Sequence, residues 1–205
     1  MRNLMGLARL HRYMSIEAMP FPEQSESDMQ RVARGLRERD ATLIGEVVER
    51  YQYRLVRYLL FVTGRRDGIE DLVQETWVRV LARATQYEGR SRFEAWLFSI
   101  ARNLAIDASR RKQILSLDDS VAPQRSDRSS PFLAAARGED AIRLAAALEL
   151  VEPIYREVLL LRFQEDLSLQ EIARIVGAPV STVSSRIHRG LGLLRSRWEG
   201  GANAV

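Results

Sequence analysis

Apolar residues along this chain recur at three- and four-residue intervals, and no segment alternates apolar with polar positions as a half-buried strand would. From Asp28, one stripe runs through Met29, Val32 and Leu36. Leu43, Ile44, Val47 and Val48 continue it, then Leu55, Tyr58, Leu59 and Val62, with Gly64 as a stop. This predicts two or three helices. A further helix is expected from Ile69 to Ala84, with a core stripe of Leu72, Val73, Trp77, Val80 and Leu81. After the glycine-containing loop from Thr85 to Arg92, Phe93, Trp96, Leu97, Ile100, Ala101 and Leu104 fall at helical spacing. Later in the chain, Ala141, Leu144, Ala145 and Leu148 mark another helix. Pro153 suits the first turn of one that buries Ile154, Val158, Leu159 and Leu161. The fold class is all-α.

The stretch from Leu167 to Arg195 predicts two short helices around a tight turn. Ser168 and Glu171 form a capping box, each able to satisfy the other's backbone N–H. Leu169, Ile172, Ala173 and Val176 then line one face, and Gly177 ends the helix. Pro179 cannot lie inside a helix, so Ser181 and Thr182 are expected to cap the next one. That helix buries Val183, Ile187, Leu191 and Leu194, which leaves Thr182, Ser185, Arg186 and Arg189 together on the solvent side. A small residue, a glycine turn and a β-branched residue at these spacings read as a helix-turn-helix. Its second helix enters the DNA major groove, where arginine reaches guanine edges and hydroxyls reach bases or phosphates. An ordinary helical hairpin with a solvated arginine face is the competing account, and ranks second.

Periodicity fails in two places. Residues 1–26, with Pro20, Pro22 and a polar PEQSESD run, read as a weakly ordered extension. The span 113–138 contains SLDDSVAPQRSDRSSP, too poor in apolar residues to order itself, and reads as a flexible linker. The chain thus divides into two small helical domains, 27–112 and 139–199, with 200–205 as a tail expected to fray.

Composition narrows the chemistry. The 205 residues are 46% hydrophobic, enough for two cores, and the formal charge of +4 suits a polyanionic partner. Lys112 is the only lysine, so the positive charge is almost all arginine, which a biased composition explains as well as selection for phosphate binding. There is no cysteine, and His11 and His188 lack a neighbouring ligand, so no metal site and no cofactor are expected. No apolar run is long enough to span a bilayer, and the N-terminus matches a signal peptide poorly, which points to a cytoplasmic protein without membrane insertion.

Two charged faces remain. Asp71, Gln74, Glu75 and Val78 share one side of the helix from Ile69. The helix dipole explains Glu70 and Asp71 near its start, but not Glu75, for which a basic partner surface is an equal alternative. The helix from Phe93 carries Arg102, Asn103, Asp107, Arg110 and Arg111 on its outer side. Aromatic residues beside such a face can stack on single-stranded bases while arginine follows phosphates. Phe93 and Trp96 share the apolar stripe and read first as core. Tyr87, in the loop, is the aromatic most available to a base.

The segments GIEDLVQETWVRVLARATQYEG, SRFEAWLFSIARNLAIDASRRK and YREVLLLRFQEDLSLQEIARIVGAPVSTVSSRIHRGL, in this order and spacing, resemble the extracytoplasmic-function (ECF, group IV) subfamily of sigma-70 type bacterial RNA polymerase sigma factors. The resemblance extends from about Met29 to Trp198. It implies a non-enzymatic protein that binds core RNA polymerase and directs promoter-specific initiation. The core-binding motif would fall on Asp71, Leu72, Gln74 and Glu75. The −10 element would be melted by Tyr87, Phe93, Trp96, Ile100, Asn103, Asp107, Arg110 and Arg111, with a flipped base held by Tyr87, Ile100 and Asn103. The −35 element would be read by Ser181, Thr182, Ser184, Ser185, Arg186 and Arg189. The resemblance also implies an anti-sigma factor as a partner. Two positions depart from the family pattern: Ser181 stands where glycine is common, and Gly190 where alanine is common. Gly190 would weaken its helix by about 1 kcal/mol and is expected to loosen it beyond Arg189.

A stand-alone helix-turn-helix regulator is the first alternative, but it leaves the acidic face and the Phe93 to Arg111 helix without a purpose. A recombinase or nuclease using Asp67, Glu70, Asp71 and Glu75 as metal ligands is the second. Asp71 and Glu75 are its only well-placed pair, and no nucleophile or phosphate loop accompanies them.

Overall fold

A computed structural model of the chain describes residues 26–64, 66–118, 144 and 146–202. Of the expected features, most of the N-terminal extension, the linker beyond residue 118, Ala141, Ala145 and the last three residues lie outside these. Among the described residues every regular element is helical. They form two compact units divided in sequence after residue 131, with residues 174–177 grouped apart from their neighbours.

In the N-terminal unit, α1 spans Glu26–Glu38 and α2 spans Ala41–Thr63. Asp40 separates them and caps α2, its Oδ1 accepting from the N–H groups of Thr42 (2.9 Å) and Leu43 (3.2 Å). Among the described residues two helices, not three, therefore precede Gly64, whose N–H closes onto Leu60 O to end α2. α2 buries Leu43, Val47, Tyr51, Leu55, Tyr58 and Leu59, a stripe along its whole length. Each such side chain contributes about 1.5–3 kcal/mol when fully buried.

α3 spans Ile69–Ala82, and a 3₁₀ turn at Ala84–Gln86 follows. Its buried face is Ile69, Val73, Thr76 and Val80, rotated from the expected stripe: Leu72 and Trp77 are half-buried and Leu81 is exposed. Thr76 can enter the core because its hydroxyl donates to Leu72 O (2.6 Å), leaving only a methyl group to pack. Trp77 turns outward enough for its indole N–H to donate to Gln52 Oε1 (2.7 Å) on α2.

α4 spans Phe93–Asp118 and packs on both α2 and α3. It buries Phe93, Leu97, Phe98, Ile100, Ala101, Leu104 and Ala105. Phe98 meets Tyr58 with ring centroids 4.9 Å apart, and Phe93 meets Tyr51 at 5.2 Å. The expected linker thus starts late: no glycine or proline interrupts the sequence before Pro123, so nothing stops α4 at residue 112.

In the C-terminal unit, α5 spans Pro153–Phe163, with Pro153 at its first position. Arg156 reaches back from α5 to donate to Glu149 O and Val151 O, anchoring the helical residues 146–149. α5 buries Val158, Leu159, Leu160 and Leu161, whereas Ile154, expected in the core, is 47% exposed. α6 spans Leu169–Val176 and α7 spans Val180–Ala202. Arg162 ties the α5–α6 turn by donating to Leu167 O (2.9 Å). α7 crosses α5 closely at Gly190, where an added Cβ would lie 2.9 Å from Leu159 Cδ1 and 3.3 Å from Tyr155 Cβ. Gly190 is buried, and α7 continues through it, so the expected loosening beyond Arg189 does not occur. The tail is corrected in part as well: α7 runs on to Ala202, extension of a formed helix costing far less than nucleation.

Candidate nucleic-acid interface

The helix-turn-helix forms as its sequence dictates. Ser168 N–H donates to Glu171 Oε2 (2.8 Å), and Glu171 N–H donates to Ser168 Oγ (3.3 Å). Ile172 and Val176 are buried, together with Ile175. Gly177 has φ +65°, a conformation that side chains disfavour, and Ala178 N–H closes onto Ala173 O. α7 then begins at Val180, directly after Pro179, whose carbonyl accepts from Val183 N–H. Ser181 and Thr182 therefore lie within the first turn of α7, not at its cap.

Val183, Ile187 and Leu194 are buried and Leu191 is half-buried, as the periodicity requires. On the opposite side Ser181, Thr182, Ser185, Arg186 and Arg189 line one open groove of about 360 Å³. Ser184 is half-buried and does not line it. Two residues of α5, Ile154 and Tyr155, complete the groove. Arg189 donates to Tyr155 Oη at 3.3 Å, so the phenol steadies one of the expected base readers. Periodicity assigned Ile154 inward and did not single out Tyr155. Only the crossing at Gly190 reveals Tyr155 beside α7.

The acidic face of α3 stands in solvent. Asp71 and Gln74 are exposed, Glu75 and Leu72 are half-buried, and Val78 is 59% exposed. Glu75 has a local partner that the charge pattern did not suggest: Arg79 Nε donates to its Oε1 at 2.8 Å. With both side chains 44% exposed, an (i, i+4) pair of this kind is worth only about 0.3–0.5 kcal/mol, so either group can exchange it for another partner.

The loop before α4 corrects the expectation for Tyr87. Its ring is 2% exposed, stacked on Trp96 (centroids 5.1 Å, 28°) and edge-on to Phe93 (5.5 Å, 78°), and its hydroxyl donates to Ser91 O (2.8 Å). Burial pushes the phenol's ionisation well above its ordinary value, with Glu94 and Tyr51 adding to the shift. Gly89, at φ +70°, lets the loop backbone lie against Met29 O, where a Cβ would sit 2.9 Å away. Phe93 and Ile100 are buried too, while Trp96 remains half-buried. Tyr87, Phe93 and Ile100 thus form the packed bed under this surface, and Trp96 is its partly open ring.

Glu94, which periodicity and charge did not single out, is 2% exposed in the first turn of α4. It pairs with Arg54 of α2 (3.4 Å) and Arg92 of the loop (3.2 Å), fixing the start of α4.

Asn103, Asp107, Arg110 and Arg111 are exposed on α4. Asn103, Asp107 and Arg110 line a groove of about 380 Å³ with Ile100 at its wall. Arg79 of α3 and Arg83, which caps the end of that helix, line the same groove from the facing side. Their (i, i+4) spacing was visible in the sequence, but which face of α3 meets α4 was not. Among the described residues no group of acidic or histidine side chains is placed to hold a metal ion. None of their helices is long and apolar enough to cross a membrane.

Residues 47–114 match the family model for sigma-70 region 2, and residues 141–194 that for sigma-70 region 4. The chain is 34% identical to the ECF RNA polymerase sigma factor SigX of Bacillus subtilis over 73% of its own length and 80% of that protein. It is 31% identical to SigW of the same organism, over 77% and 90%. In fold it is similar to the sigma factor RpoE crystallised with the anti-sigma factor NepR from Bartonella quintana (TM-score 0.62, 22% identity, 76% of this chain and 96% of that one). It is also similar to CnrH in complex with the cytosolic domain of CnrY (TM-score 0.58, 22% identity, 84% and 99%). Two sigma-70 regions in order, and relatives matched over most of their length, make this chain a member of the ECF RNA polymerase sigma factors.

Proposed function

We propose that this sigma factor divides its work among three surfaces. Asp71, Leu72, Gln74 and Glu75 of α3 bind core RNA polymerase through a basic partner surface. Asn103, Asp107, Arg110 and Arg111 of α4 meet the −10 element, with Trp96 as the ring open to a base and Tyr87, Phe93 and Ile100 supporting it from below. Thr182, Ser185, Arg186 and Arg189, with Ser181 and Ser184 beside them, read the −35 element. The domain division is that of the two matched regions, joined by the linker, and the protein works in the cytoplasm with the polymerase. Its short linker, with no room for a middle domain, fits group IV. The anti-sigma partners of RpoE and CnrH's complex with CnrY favour a similar regulator here.

The observation that carries this reading is the single face of α7 on which three hydroxyls and two guanidiniums line one groove, back to back with the core stripe. That is the arrangement a helix needs to enter a major groove while remaining fixed to its domain. No step is chemical: contacts to the opened strand offset the few kcal/mol per step that unstacking costs. Run-off transcription tests it. Core polymerase given this protein and promoter DNA from the same genome initiates at new, specific sites. Tight DNA binding by the protein alone, with neither core association nor initiation, would instead identify a stand-alone regulator.

A further inference from the structure

The groove beside α7 has one wall unlike the rest. Thr182, Ser185, Arg186 and Arg189 give it hydroxyls and guanidiniums, and Tyr155 adds a phenol. Among the described residues that line it, Ile154 is the only aliphatic side chain without a polar group. Ile154 continues the stripe of Val158 and Leu161, both buried, yet it stands 47% exposed, because the first turn of α5 lies at the edge of the core. A lone exposed isoleucine on an ordinary surface needs no explanation. This one is held in a fixed place beside the recognition helix. Tyr155 N–H and Arg156 N–H both close onto Glu152 O (3.1 and 3.0 Å), Arg189 donates to Tyr155 Oη (3.3 Å), and the crossing at Gly190 sets α5 against α7.

Arginine pairs with guanine edges and hydroxyls bond several bases, but the mark peculiar to thymine in the major groove is a C5 methyl group, which packs against an apolar side chain. We propose that Ile154 reads this methyl group in the −35 duplex, as a specificity-determining residue supplied by α5 and not by the recognition helix. This rests on the −35 reading above and adds to it a residue outside α7. The preference it brings is for a T·A pair on the α5 side of the groove. Because the contact is apolar, it releases no counterions and leaves the salt dependence of binding unchanged, which separates it from a phosphate contact.

The test uses holoenzyme assembled with the full chain. Duplexes randomised across the −35 element are selected for binding, and each thymine of the selected site is then replaced singly by deoxyuridine, which removes the methyl group and keeps every hydrogen-bonding edge. One replacement should weaken wild-type binding about fourfold, the effect of losing one buried methyl-sized group. With Ile154→Ala the same replacement should cost nothing further, and selection should lose its thymine at that position. Ile154→Val keeps a branched apolar tip and should keep the sensitivity. Ile154→Ala should also show the wild-type salt slope, and thermal melts verify that each variant folds. Deoxyuridine effects that are equal in wild type and Ile154→Ala overturn the proposal, as does the absence of any methyl-sensitive thymine. A loss of core affinity with the thymine preference intact also overturns it and gives Ile154 to a protein contact. Arg186→Ala runs in parallel. If it loses −35 discrimination while Ile154→Ala keeps the wild-type pattern, this inference alone fails. If wild-type holoenzyme shows no −35 preference at all, the functional reading fails and the role of Ile154 with it.

Discussion

Gly190 of α7 presents a bare backbone to Leu159 of α5, with room for no more: an added Cβ would stand 2.9 Å from Leu159 Cδ1 and 3.2 Å from its Cγ. Helix propensity alone says that Gly190→Ala should stabilise α7 by about 1 kcal/mol. The crossing says otherwise, because Leu159 is buried and overpacking a core costs about 1–3 kcal/mol. The expected outcome is a net loss of up to about 2 kcal/mol, read as a lower urea midpoint at unchanged slope. A rise in midpoint would mean that Leu159 can turn aside.

Tyr87 makes the N-terminal unit sensitive to high pH. Its folded-state ionisation is raised above the ordinary value of 10.0, chiefly by burial, then by Glu94 and Tyr51. The fold therefore favours the neutral phenol. Its contribution is complete below pH 10 and is lost as pH rises beyond that value. Wild-type stability should fall more steeply above pH 10 than that of Tyr87→Phe, and the two should run parallel below it. At pH 8 the variant should be weaker by about 0.5–1.5 kcal/mol through the lost bond to Ser91 O. Curves that stay parallel above pH 10 as well would remove Tyr87 as the source.

Glu94→Ala strips the carboxylate from Arg54 and Arg92, whose side chains are 26% and 17% exposed. Breaking a fully buried pair costs about 3–5 kcal/mol. Partial solvent access to both arginines lowers the expectation to about 2–3 kcal/mol, measurable by chemical denaturation. The start of α4 and the Tyr87–Trp96 stack should loosen with it, visible as a change in tryptophan fluorescence. A loss below 0.5 kcal/mol would show the ion pairs to be incidental.

The acidic face gives a charge-reversal prediction. Asp71→Arg and Glu75→Arg should each weaken core polymerase binding at least tenfold without changing thermal stability, since both side chains reach solvent. Losing the Glu75 pair with Arg79 costs the fold only about 0.3–0.5 kcal/mol. Pull-down with core enzyme measures the first effect and a thermal melt the second; unaltered core affinity moves the interface off this face.

On α7, Arg186→Ala should cost about 1–3 kcal/mol of discrimination between −35 sequences. Tyr155→Phe keeps the ring but removes the acceptor for Arg189. Its expected effect is a smaller loss, confined to the bases Arg189 meets. Competition binding with single-base substitutions across the −35 site separates the two. Equal weakening on every sequence would make either residue a backbone contact.

The all-helical class, the break between two domains, the capping box at Ser168 and Glu171, and the core stripe of Val183, Ile187 and Leu194 were legible because each depends on neighbours within two turns. The same locality exposes one face of α7 as hydroxyl and guanidinium, and an order of three segments was enough to suggest the family. What a residue far along the chain does to its partner could not be read this way. Tyr87 looked available because it lies in a loop, yet Phe93 and Trp96 close over it. α3 turned its buried stripe from Leu72 and Trp77 toward Ile69 and Thr76, because a tertiary core selects the face that fits and not the most hydrophobic one. Gly190 looked like a weakness in a helix and proved to be the place where two helices meet. Sequence by itself determined which segments are helices and which faces carry charge, since those follow from local spacing. Only tertiary structure decided which aromatic rings are covered, where Glu94 finds its arginines, and that Arg79 and Arg83 share a groove with Asn103, because each depends on how one helix is rotated against another.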